Sequence, residues 1–370
     1  MTNPMAMTTA KRRPRVLVAM SGGVDSSVAA ALLVDQGYEV IGATMQVWDY
    51  SSCDIDEGNG TCCSSLDVDD ARSVADRLGI PFYVLNCEAK FKSQVIDPFL
   101  KSYLEGQTPL PCVNCNTYLK FDHLIQKMRE LDCDFLATGH YAQVKMDENG
   151  IAAIYTSTDD WKDQTYFLFT LESSIVPHLL FPIGGMKKPE VRRIAEEKGL
   201  TVAKKKDSTG ICFVGNMGYS KFIESQVDPM ILKTKTGLIK RLPSGVVMGR
   251  HEGIHHYTYG QSKGIGLTHH EKLFVVKIDA ETNTVWVGDE EYLYSQQADI
   301  VDPHWLTSWN EDEIYQVKIR YQHKSTPAKI RKTEKGYRID FLEKQRAITP
   351  GQAAVIYKEQ KLVGGGWITI

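Results

Sequence analysis

The chain has 370 residues, enough for two or three domains, and its 42% hydrophobic and 24% charged residues are ordinary for a globular protein. The formal net charge of −3 excludes uniform attraction to nucleic acid, so such a partner would have to bind a local basic face. The sequence shows neither an apolar run of membrane-spanning length nor a signal peptide, and we therefore expect a cytoplasmic protein with no membrane partner.

The first predicted element is a strand whose apolar run is 16–19, and Ser21-Gly22-Gly23 interrupts it. Asp25, Ser26 and Ser27 then open a helical pattern over 28–33 that ends near Gly37. Such a turn can be an ordinary strand-to-helix connection. It also suits phosphate, because glycines allow close backbone approach and a helix N-terminus favours anions. Asp25 stands where a Walker loop would carry lysine. A carboxylate beside phosphate needs a bridging cation, so Asp25 is predicted to bind Mg²⁺.

Strands then alternate with helices, which predicts a doubly wound parallel sheet and an α/β fold class. The expected strands are 39–48, 81–87 and 134–141, and the expected helices are 66–78, 91–104 and 118–131. Ligands of such sheets bind at the carboxyl ends of the strands. The loop over 21–27, Met45 and Gly139-His140 all lie at such ends, so they are predicted to share one crevice.

The alternation ends near Gly218. Short glycine-rich segments follow, and from about Val275 the pattern is that of short strands, which predicts a small β-barrel. We therefore predict a catalytic domain over 15–217, a small mixed middle domain over 218–284 and a C-terminal β-barrel over 285–370.

The eight cysteines of a chain without a secretion signal are expected to be reduced, catalytic or metal-binding. Cys112 and Cys115 precede a helix predicted to begin near Thr117, and a helix N-terminus lowers the pKa of a thiol. Cys212 follows Lys204-Lys205-Lys206, whose charges would act similarly. Two activated thiols near a phosphate loop indicate sulfur chemistry, in which one thiol holds a persulfide and the other resolves it.

The other cysteines carry weaker predictions. Cys53, Cys62 and Cys63 lie in a polar segment over 50–65 that reads as a lid loop, with sulfur relay and zinc binding as alternatives. Cys87 and Cys133 are predicted to be core thiols.

Residues 251–255 match H-E-x-x-H, the signature of zinc proteases, which requires both histidines on one face of a helix. Glycines surround the string, and Tyr257-Thr258-Tyr259 favours a strand. We therefore expect a chance match, with an RNA-facing basic surface and a solvated loop as the alternatives for this segment.

The string Ser-Gly-Gly-Val-Asp-Ser at 21–26 resembles the pyrophosphate loop of the PP-loop ATPases, which cleave ATP to AMP and pyrophosphate while adenylating a substrate oxygen. TPLPCVNCN, FLATGHYA, WKDQTYFL and DSTGICF follow in order. Together they resemble the motifs of the tRNA-specific 2-thiouridylases, which thiolate the wobble uridine of tRNA. This resemblance extends from about Arg15 to Ile370.

The resemblance implies ATP-dependent 2-thiolation of uridine 34, by adenylation of the C2 oxygen and sulfur transfer from a cysteine persulfide. It implies ATP, Mg²⁺, the anticodon arm of tRNA and a persulfide donor protein as cofactors and partners. Cys115 would be the nucleophile and Cys212 the persulfide carrier. Implied ATP contacts are Ala19, Met20, Ser21, Gly22, Gly23, Val24, Asp25, Ser26, Met45 and Gly139. Implied tRNA contacts are His140, Lys162, Asp163, Gln164, Arg320, Tyr321 and Gln352.

The chain departs from this pattern at Cys112, where some members carry an acidic residue. A thiol with a near-neutral pKa could still transfer protons. Alternatively, Cys112, Cys115 and Cys212 could hold a [4Fe–4S] cluster with one open iron. A PP-loop synthetase acting on a small molecule is a further alternative, but it predicts neither the cysteine pair nor the β-rich tail.

Overall fold

The computed structural model describes residues 12–48, 65–207, 210–267 and 272–369. The predicted lid loop with Cys53, Cys62 and Cys63 lies outside the described residues, as do Ser208 and Thr209. The strands are β1 Arg15–Ala19, β2 Glu39–Gln46, β3 Phe82–Asn86, β4 Phe135–Thr138, β5 Ala142–Met146, β6 Ala152–Thr156, β7 Leu179–Leu180, β8 Gly237–Arg241, β9 Val247–His251, β10 Phe274–Asp279, β11 Thr284–Gly288, β12 Tyr294–Trp305, β13 Tyr315–Lys318, β14 Thr326–Thr333, β15 Gly336–Arg346, β16 Ala353–Lys358 and β17 Lys361–Thr369.

The α-helices are α1 Val24–Asp35, α2 Ser65–Leu78, α3 Glu88–Phe91, α4 Asp97–Leu104, α5 Pro111–Asn114, α6 Leu124–Glu130, α7 Lys188–Glu197, α8 Tyr219–Gln226 and α9 Pro229–Lys233. Two segments are π-helical, Lys92–Ile96 and Cys115–His123. Short 3₁₀ turns lie at Thr165–Phe167, Ser173–His178, Gly215–Met217, Ile254–His256 and Glu290–Leu293.

The N-terminal sheet is parallel throughout, with strand order β3-β2-β1-β4-β7. Successive residues of β1 enter two different cores. Val16 and Val18 pack with α1 and α7 on one face, whereas Leu17 packs on the other face with the helical run over 111–130. A strand buried on both faces needs a continuous apolar run, which β1 has. The predicted α/β fold with a doubly wound sheet is confirmed.

A four-stranded sheet of order β10-β11-β8-β9 follows the parallel sheet. β11 pairs parallel with β8, and the other two pairings are antiparallel. Its core is built on Ile239, Val275, Val285 and Val287, which are all fully buried. The sheet extends to Gly288, four residues beyond the limit predicted for the middle domain.

The C-terminal strands form a closed barrel of order β12-β15-β14-β13-β16-β17, and pairing between β12 and β17 completes the ring. Closure leaves no barrel edge exposed to pair with another chain. Ile300, Ile330, Ile339 and Ile356 are fully buried in its core. The predicted β-barrel is therefore confirmed.

The region of the parallel sheet and the barrel share hydrogen-bonded structure. The hairpin β5–β6, which lies within the first 217 residues, extends the barrel sheet through the pairing of Tyr155 with Lys361. Buried Tyr166 donates a hydrogen bond to the carbonyl of Ala353, 2.8 Å away. The two regions therefore have a common core. Among the described residues, every helix is too short or too polar to cross a bilayer.

The Gly184–Gly185 pair at the junction between the parallel sheet and β5 gives a matched test of this packing. A Cβ on Gly184 would lie 1.6 Å from the carbonyl oxygen of Ala142, whereas the nearest atom to one on Gly185 is 4.0 Å away. We expect Gly184→Ala to lower the free energy of unfolding by at least about 2 kcal/mol. Gly185→Ala should change it by less than about 1 kcal/mol. Urea unfolding measures both, and equal effects would contradict the packing described.

Candidate functional site

The loop between β1 and α1 is closed by two glycines that have no room for a side chain. Gly22 adopts a φ of +70°, and a Cβ there would lie 2.1 Å from the carbonyl oxygen of Asp67. A Cβ on Gly139, just after β4, would lie 2.5 Å from the backbone nitrogen of Ser26. The carboxyl ends of β1 and β4 therefore meet the first turn of α1 at backbone distance.

Serine hydroxyls hold this loop from within. The backbone N–H of Ser21 donates to Ser26 Oγ at 3.1 Å, and the hydroxyl of Ser27 donates to the carbonyl of Gly23 at 2.8 Å. Gly23 precedes the twelve-residue α1 in an extended conformation and has no side chain to cap its N–H groups. The first N–H groups of α1 are therefore not capped by the side chain of the preceding residue, and the anion site predicted from the sequence stays a prediction.

The carboxylate of Asp25 is held by two partners that the sequence analysis missed. Lys188 Nζ, at the start of α7, lies 2.8 Å from both carboxylate oxygens, and the hydroxyl of Tyr141 donates to Oδ1 at 3.0 Å. Burial, with the charge of Asp25 beside it, raises the pKa of Tyr141, so this hydroxyl stays a donor. Asp25 fits as the single carboxylate that Mg²⁺ needs beside phosphate oxygens. Lys188 already supplies a positive charge there.

Lys188 also joins the phosphate loop to the segment that leads to Cys212. Its Nζ lies 2.8 Å from Asp207 Oδ1, and Lys162 and Arg192 each lie 2.6 Å from the same carboxylate. Burial alone would raise the pKa of Asp207, but hydrogen bonds from Lys162 and Lys188 lower it to about 2. The carboxylate of Asp207 therefore stabilises the fold above its ordinary pKa of 3.8, and this contribution is lost as the pH falls towards 2.

Lys205 binds the phosphate loop. Its Nζ donates to the carbonyl of Gly22 at 3.1 Å and pairs with Asp67 and Asp70 on α2. The sequence predicts that the charges of the lysine run over 204–206 activate Cys212. The contacts of Lys205 are with Gly22 and α2, so its structural role is to fix the loop.

Cys112 and Cys115 lie on one helical run over 111–130, made of α5, the π-helical segment Cys115–His123 and α6. The expectation that this helix begins near Thr117 is wrong, because Pro111 stands at its first position, where proline is preferred. Cys112, which is exposed, therefore lies in the first turn and Cys115 in the second. Cys115 is half-buried and begins a π-helical segment, a feature often found at functional sites.

Cys212 lies between two apolar residues that anchor its segment. The ring of Phe213 packs against Phe91, Phe99 and Phe222 at centroid distances of 5.1–5.6 Å. Cys115 and Cys212 thus border the same apolar core, although they are almost a hundred positions apart in sequence. A [4Fe–4S] cluster on Cys112, Cys115 and Cys212 has the right donor chemistry and stays a prediction.

Cys87 and Cys133 are buried, as predicted for core thiols. Burial raises the pKa of each to about 11, so both remain protonated at neutral pH. A protonated thiol is a poor nucleophile. These two cysteines are therefore suitable reference positions for experiments on Cys115 and Cys212.

The nucleotide contacts implied by the resemblance converge around the loop. Ala19, at the end of β1, pairs with Ala43 of β2 and Thr138 of β4, next to Gly139. Met20, Val24 and Met45 are buried, as is Ser26. Their roles in binding ATP stay predictions.

Several residues predicted to contact tRNA make internal bonds instead. The imidazole of His140 is buried between Phe121 and Phe181, and burial lowers its pKa well below the ordinary value. Asp163 is also buried and accepts hydrogen bonds from Ser157 and Thr165. Lys162 pairs with Asp207, and Gln164 accepts from the N–H of Tyr141. These tRNA contacts stay predictions.

The predicted tRNA residues of the barrel lie against the cysteine segment. Gln352 Nε2 donates to the carbonyls of Thr108 at 2.9 Å and Pro109 at 3.3 Å. Arg320 donates to the carbonyl of Ala347 at 2.6 Å. Burial raises the pKa of Tyr321 to about 12, with the charges of Asp163 and Cys112 adding to the shift. The barrel therefore contacts the segment that carries Cys112.

The H-E-x-x-H string lacks the geometry of a protease site. His251 ends β9 and bonds the carbonyl of Asn283 through Nε2, whereas His255 lies in the 3₁₀ turn Ile254–His256. The two histidines are not on one helix face, so the chance match expected from the sequence is the correct interpretation.

Comparison with known proteins gives the family. Residues 14–216, 226–289 and 295–368 match, in turn, a tRNA methyl transferase HUP domain, a tRNA methyl transferase PRC-barrel domain and an aminomethyltransferase β-barrel domain. A protein of Geotalea uraniireducens named tRNA-specific 2-thiouridylase MnmA is 45% identical over 98% of this chain and 96% of its own. Its namesake in Magnetococcus marinus is 46% identical over 96% of this chain and 98% of its own. The chain belongs to the tRNA-specific 2-thiouridylase family.

The contact between Lys188 and Asp25 allows a test of the predicted phosphate loop. We expect Lys188→Met to weaken ATP binding by at least about tenfold, because an uncompensated Asp25 carboxylate would repel the triphosphate. It should also lower the free energy of unfolding by about 2 kcal/mol, less than for a fully buried pair because Asp25 and Asp207 are 32% and 25% exposed.

Lys187 precedes Lys188 and is exposed, which makes Lys187→Met the matched control. The ATP affinity and the free energy of unfolding of this control, measured by equilibrium binding and urea unfolding, should equal those of the unchanged chain. Normal ATP affinity in Lys188→Met would show that Asp25 needs no cationic partner.

Proposed function

We propose that the chain catalyses ATP-dependent 2-thiolation of the wobble uridine of tRNA, with the C2 oxygen adenylated before sulfur replaces it. The observation that carries this proposal is the bridge from the phosphate loop through Lys188 and Asp207 to the segment of Cys212. It joins a site for ATP to a thiol that can carry sulfur. The names of the relatives support the same activity.

In the first step the C2 oxygen of uridine attacks the α-phosphorus of ATP, and pyrophosphate leaves. The N-terminus of α1 and Lys188 stabilise the negative charge of the phosphates. Mg²⁺, held by Asp25 and phosphate oxygens, would supply further charge neutralisation. The product is a uridine whose oxygen has become a leaving group, with AMP attached.

In the second step the terminal sulfur of a Cys212 persulfide attacks C2, and AMP departs with the original oxygen. The thiolate of Cys115 then attacks Cys212 Sγ, which forms a Cys115–Cys212 disulfide and releases 2-thiouridine. A thiol reductant returns both cysteines to the reduced state. A persulfide donor protein reloads Cys212. If a [4Fe–4S] cluster is present, Cys112, Cys115 and Cys212 would hold it, and it would supply an iron that binds sulfide.

Recognition of tRNA is assigned to the face where the barrel meets the cysteine segment. Trp161 is 84% exposed and precedes Lys162, so it offers an aromatic surface on which a base can stack. The target base must leave its stack so that its C2 atom can enter the site. The bases of a single-stranded anticodon loop can do this at low cost.

Methyl transfer is the second candidate, because two of the matched domains are described as tRNA methyl transferase. The anion site at α1 and the two cysteines at one core favour ATP-dependent sulfur transfer over methylation. Mass spectrometry of nucleosides from tRNA incubated with the protein, ATP, a reductant and a persulfide donor separates the two. We expect ATP-dependent 2-thiouridine, whereas a methylated nucleoside or thiolation without ATP would overturn the proposal.

Cysteine variants test the sulfur steps. Cys115→Ser and Cys212→Ser should each abolish 2-thiouridine formation, because a hydroxyl neither carries persulfide sulfur nor closes the disulfide. ATP binding should survive in both. Cys133→Ser is the control, since that thiol stays protonated, and it should retain activity. Near-normal 2-thiouridine in either of the first two variants would refute the two-thiol mechanism.

Gln352 offers a test between positioning and tRNA contact. Its side chain makes two hydrogen bonds to the segment before Cys112, each worth about 1 kcal/mol. We expect Gln352→Ala to reduce kcat for thiolation by about 5–30-fold with little change in KM for tRNA. Exposed Gln322 supplies the control, Gln322→Ala. A rise in KM alone would instead assign Gln352 to tRNA binding.

A further inference from the structure

Three side chains with metal-binding atoms converge where the turn after β9 meets α8, the helix that follows the Cys212 segment. Glu224 lies on α8, and His255 and His256 lie in the turn Ile254–His256. One ligand atom of each lies within 4.8 Å of the other two. Glu224 Oε1 is 3.3 Å from His256 Nε2 and 3.6 Å from His255 Nε2.

These separations match those of ligands that share one ion. Two ligand atoms, each about 2.0–2.1 Å from a tetrahedral Zn²⁺, lie about 3.3 Å from each other. The distances from Glu224 to the two imidazoles are within a few tenths of an ångström of this value. The carboxylate of Glu224 therefore lies at a shared-ligand distance from both imidazoles, and all three ligand atoms lie within 4.8 Å of one another.

The state of His255 is a second, independent observation. The residue is 1% exposed, and within the described part of the chain neither of its ring nitrogens has a hydrogen-bond partner. An unsatisfied buried polar group costs about 1–3 kcal/mol, and coordination of an ion would remove that cost for one nitrogen. Gly253 provides the space for this ring, because a Cβ there would lie 2.3 Å from His255 Cε1.

We propose that Glu224, His255 and His256 bind a divalent first-row transition metal ion of the Zn²⁺ type. Two imidazoles and a carboxylate are the donor set of open zinc sites, in which water takes the fourth position. This site goes beyond the thiolation activity and does not depend on it. It also differs from the protease signature, since His251 and Glu252 take no part and only His255 belongs to both.

The position of the cluster places the ion between α8 and the turn Ile254–His256. Phe222, on the same helix as Glu224, packs 5.2 Å from Phe213, the neighbour of Cys212. The hydroxyl of Tyr219 on that helix donates to the carbonyl of His256 at 3.2 Å. The ion would join the turn Ile254–His256 to α8 and so stabilise their contact behind the Cys212 segment.

The test uses the full chain, reduced and freed of metal by a chelator, which is then titrated with Zn²⁺ against a chromophoric competitor. Glu224→Gln and His256→Ala change half-exposed or exposed residues and keep the buried His255. Each should weaken the site by at least about tenfold, since loss of outer-shell partners alone costs about 10–100-fold. Exposed His178 provides the control, His178→Ala, which should bind as the unchanged chain does.

Co²⁺ spectra distinguish metal bound at the proposed site from metal bound at cysteines. The difference spectrum between the unchanged chain and His256→Ala should show ligand-field bands without the intense thiolate charge-transfer band, because this site contains no sulfur. Zn²⁺ should raise the Tm of the unchanged chain more than that of either variant. Circular dichroism in chelator confirms that the variants fold. Equal Zn²⁺ affinity in all four proteins, or a difference spectrum dominated by thiolate charge transfer, would overturn the proposal.

Discussion

The ammonium group of Lys188 is the interaction on which the site depends. It lies 2.8 Å from carboxylate oxygens of both Asp25 and Asp207 and is only 10% exposed. Each carboxylate belongs to a different functional segment, one to the phosphate loop and one to the run that leads to Cys212. Without the cation, two carboxylates would face each other beside the predicted triphosphate site. The free-energy cost of these uncompensated charges is far larger than the stabilisation that an exposed ion pair provides.

Around this cation, backbone contacts determine how closely the segments approach. Gly22 and Gly139 allow α2 and α1 to pack directly against neighbouring backbone. The barrel sets the other side of the site, where Gln352 bonds the segment that precedes Cys112. The cysteine helix is thus held between the parallel-sheet core and the barrel. Cys115 and Cys212 border a core that also contains barrel residues, so distant parts of the chain meet beside these two thiols.

Elements with local signals could be predicted from the sequence. The strand–loop–helix unit over 15–35 follows from a continuous apolar run and the glycines that interrupt it. The predicted start of the cysteine helix, near Thr117, lies about six residues beyond its actual start at Pro111, although proline is a recognisable first-position signal. The hairpin β5–β6 was not predicted, because its partner strand begins at Lys361, about two hundred residues away. Local patterns carry no information about such pairings.

The hydrogen-bond and ion-pair partners of polar side chains are the feature of this fold that is hardest to predict from the sequence. His140 and Asp163 stand in motifs that imply contact with tRNA, yet both are buried and bonded within the fold. Lys188 has no distinguishing local pattern, and its role emerges only when α7 packs beside α1. The chance match expected for His251 and His255 follows from local structure, since His251 ends a strand and His255 lies in a 3₁₀ turn after Gly253.

We propose that the phosphate loop activates the same oxygen atom that sulfur replaces. Isotope transfer tests it directly: tRNA carrying ¹⁸O at C2 of the wobble uridine is incubated with ATP, the protein and a persulfide donor, and AMP is analysed by mass spectrometry. The account predicts one ¹⁸O atom in AMP for each 2-thiouridine formed. Unlabelled AMP formed alongside 2-thiouridine would contradict it.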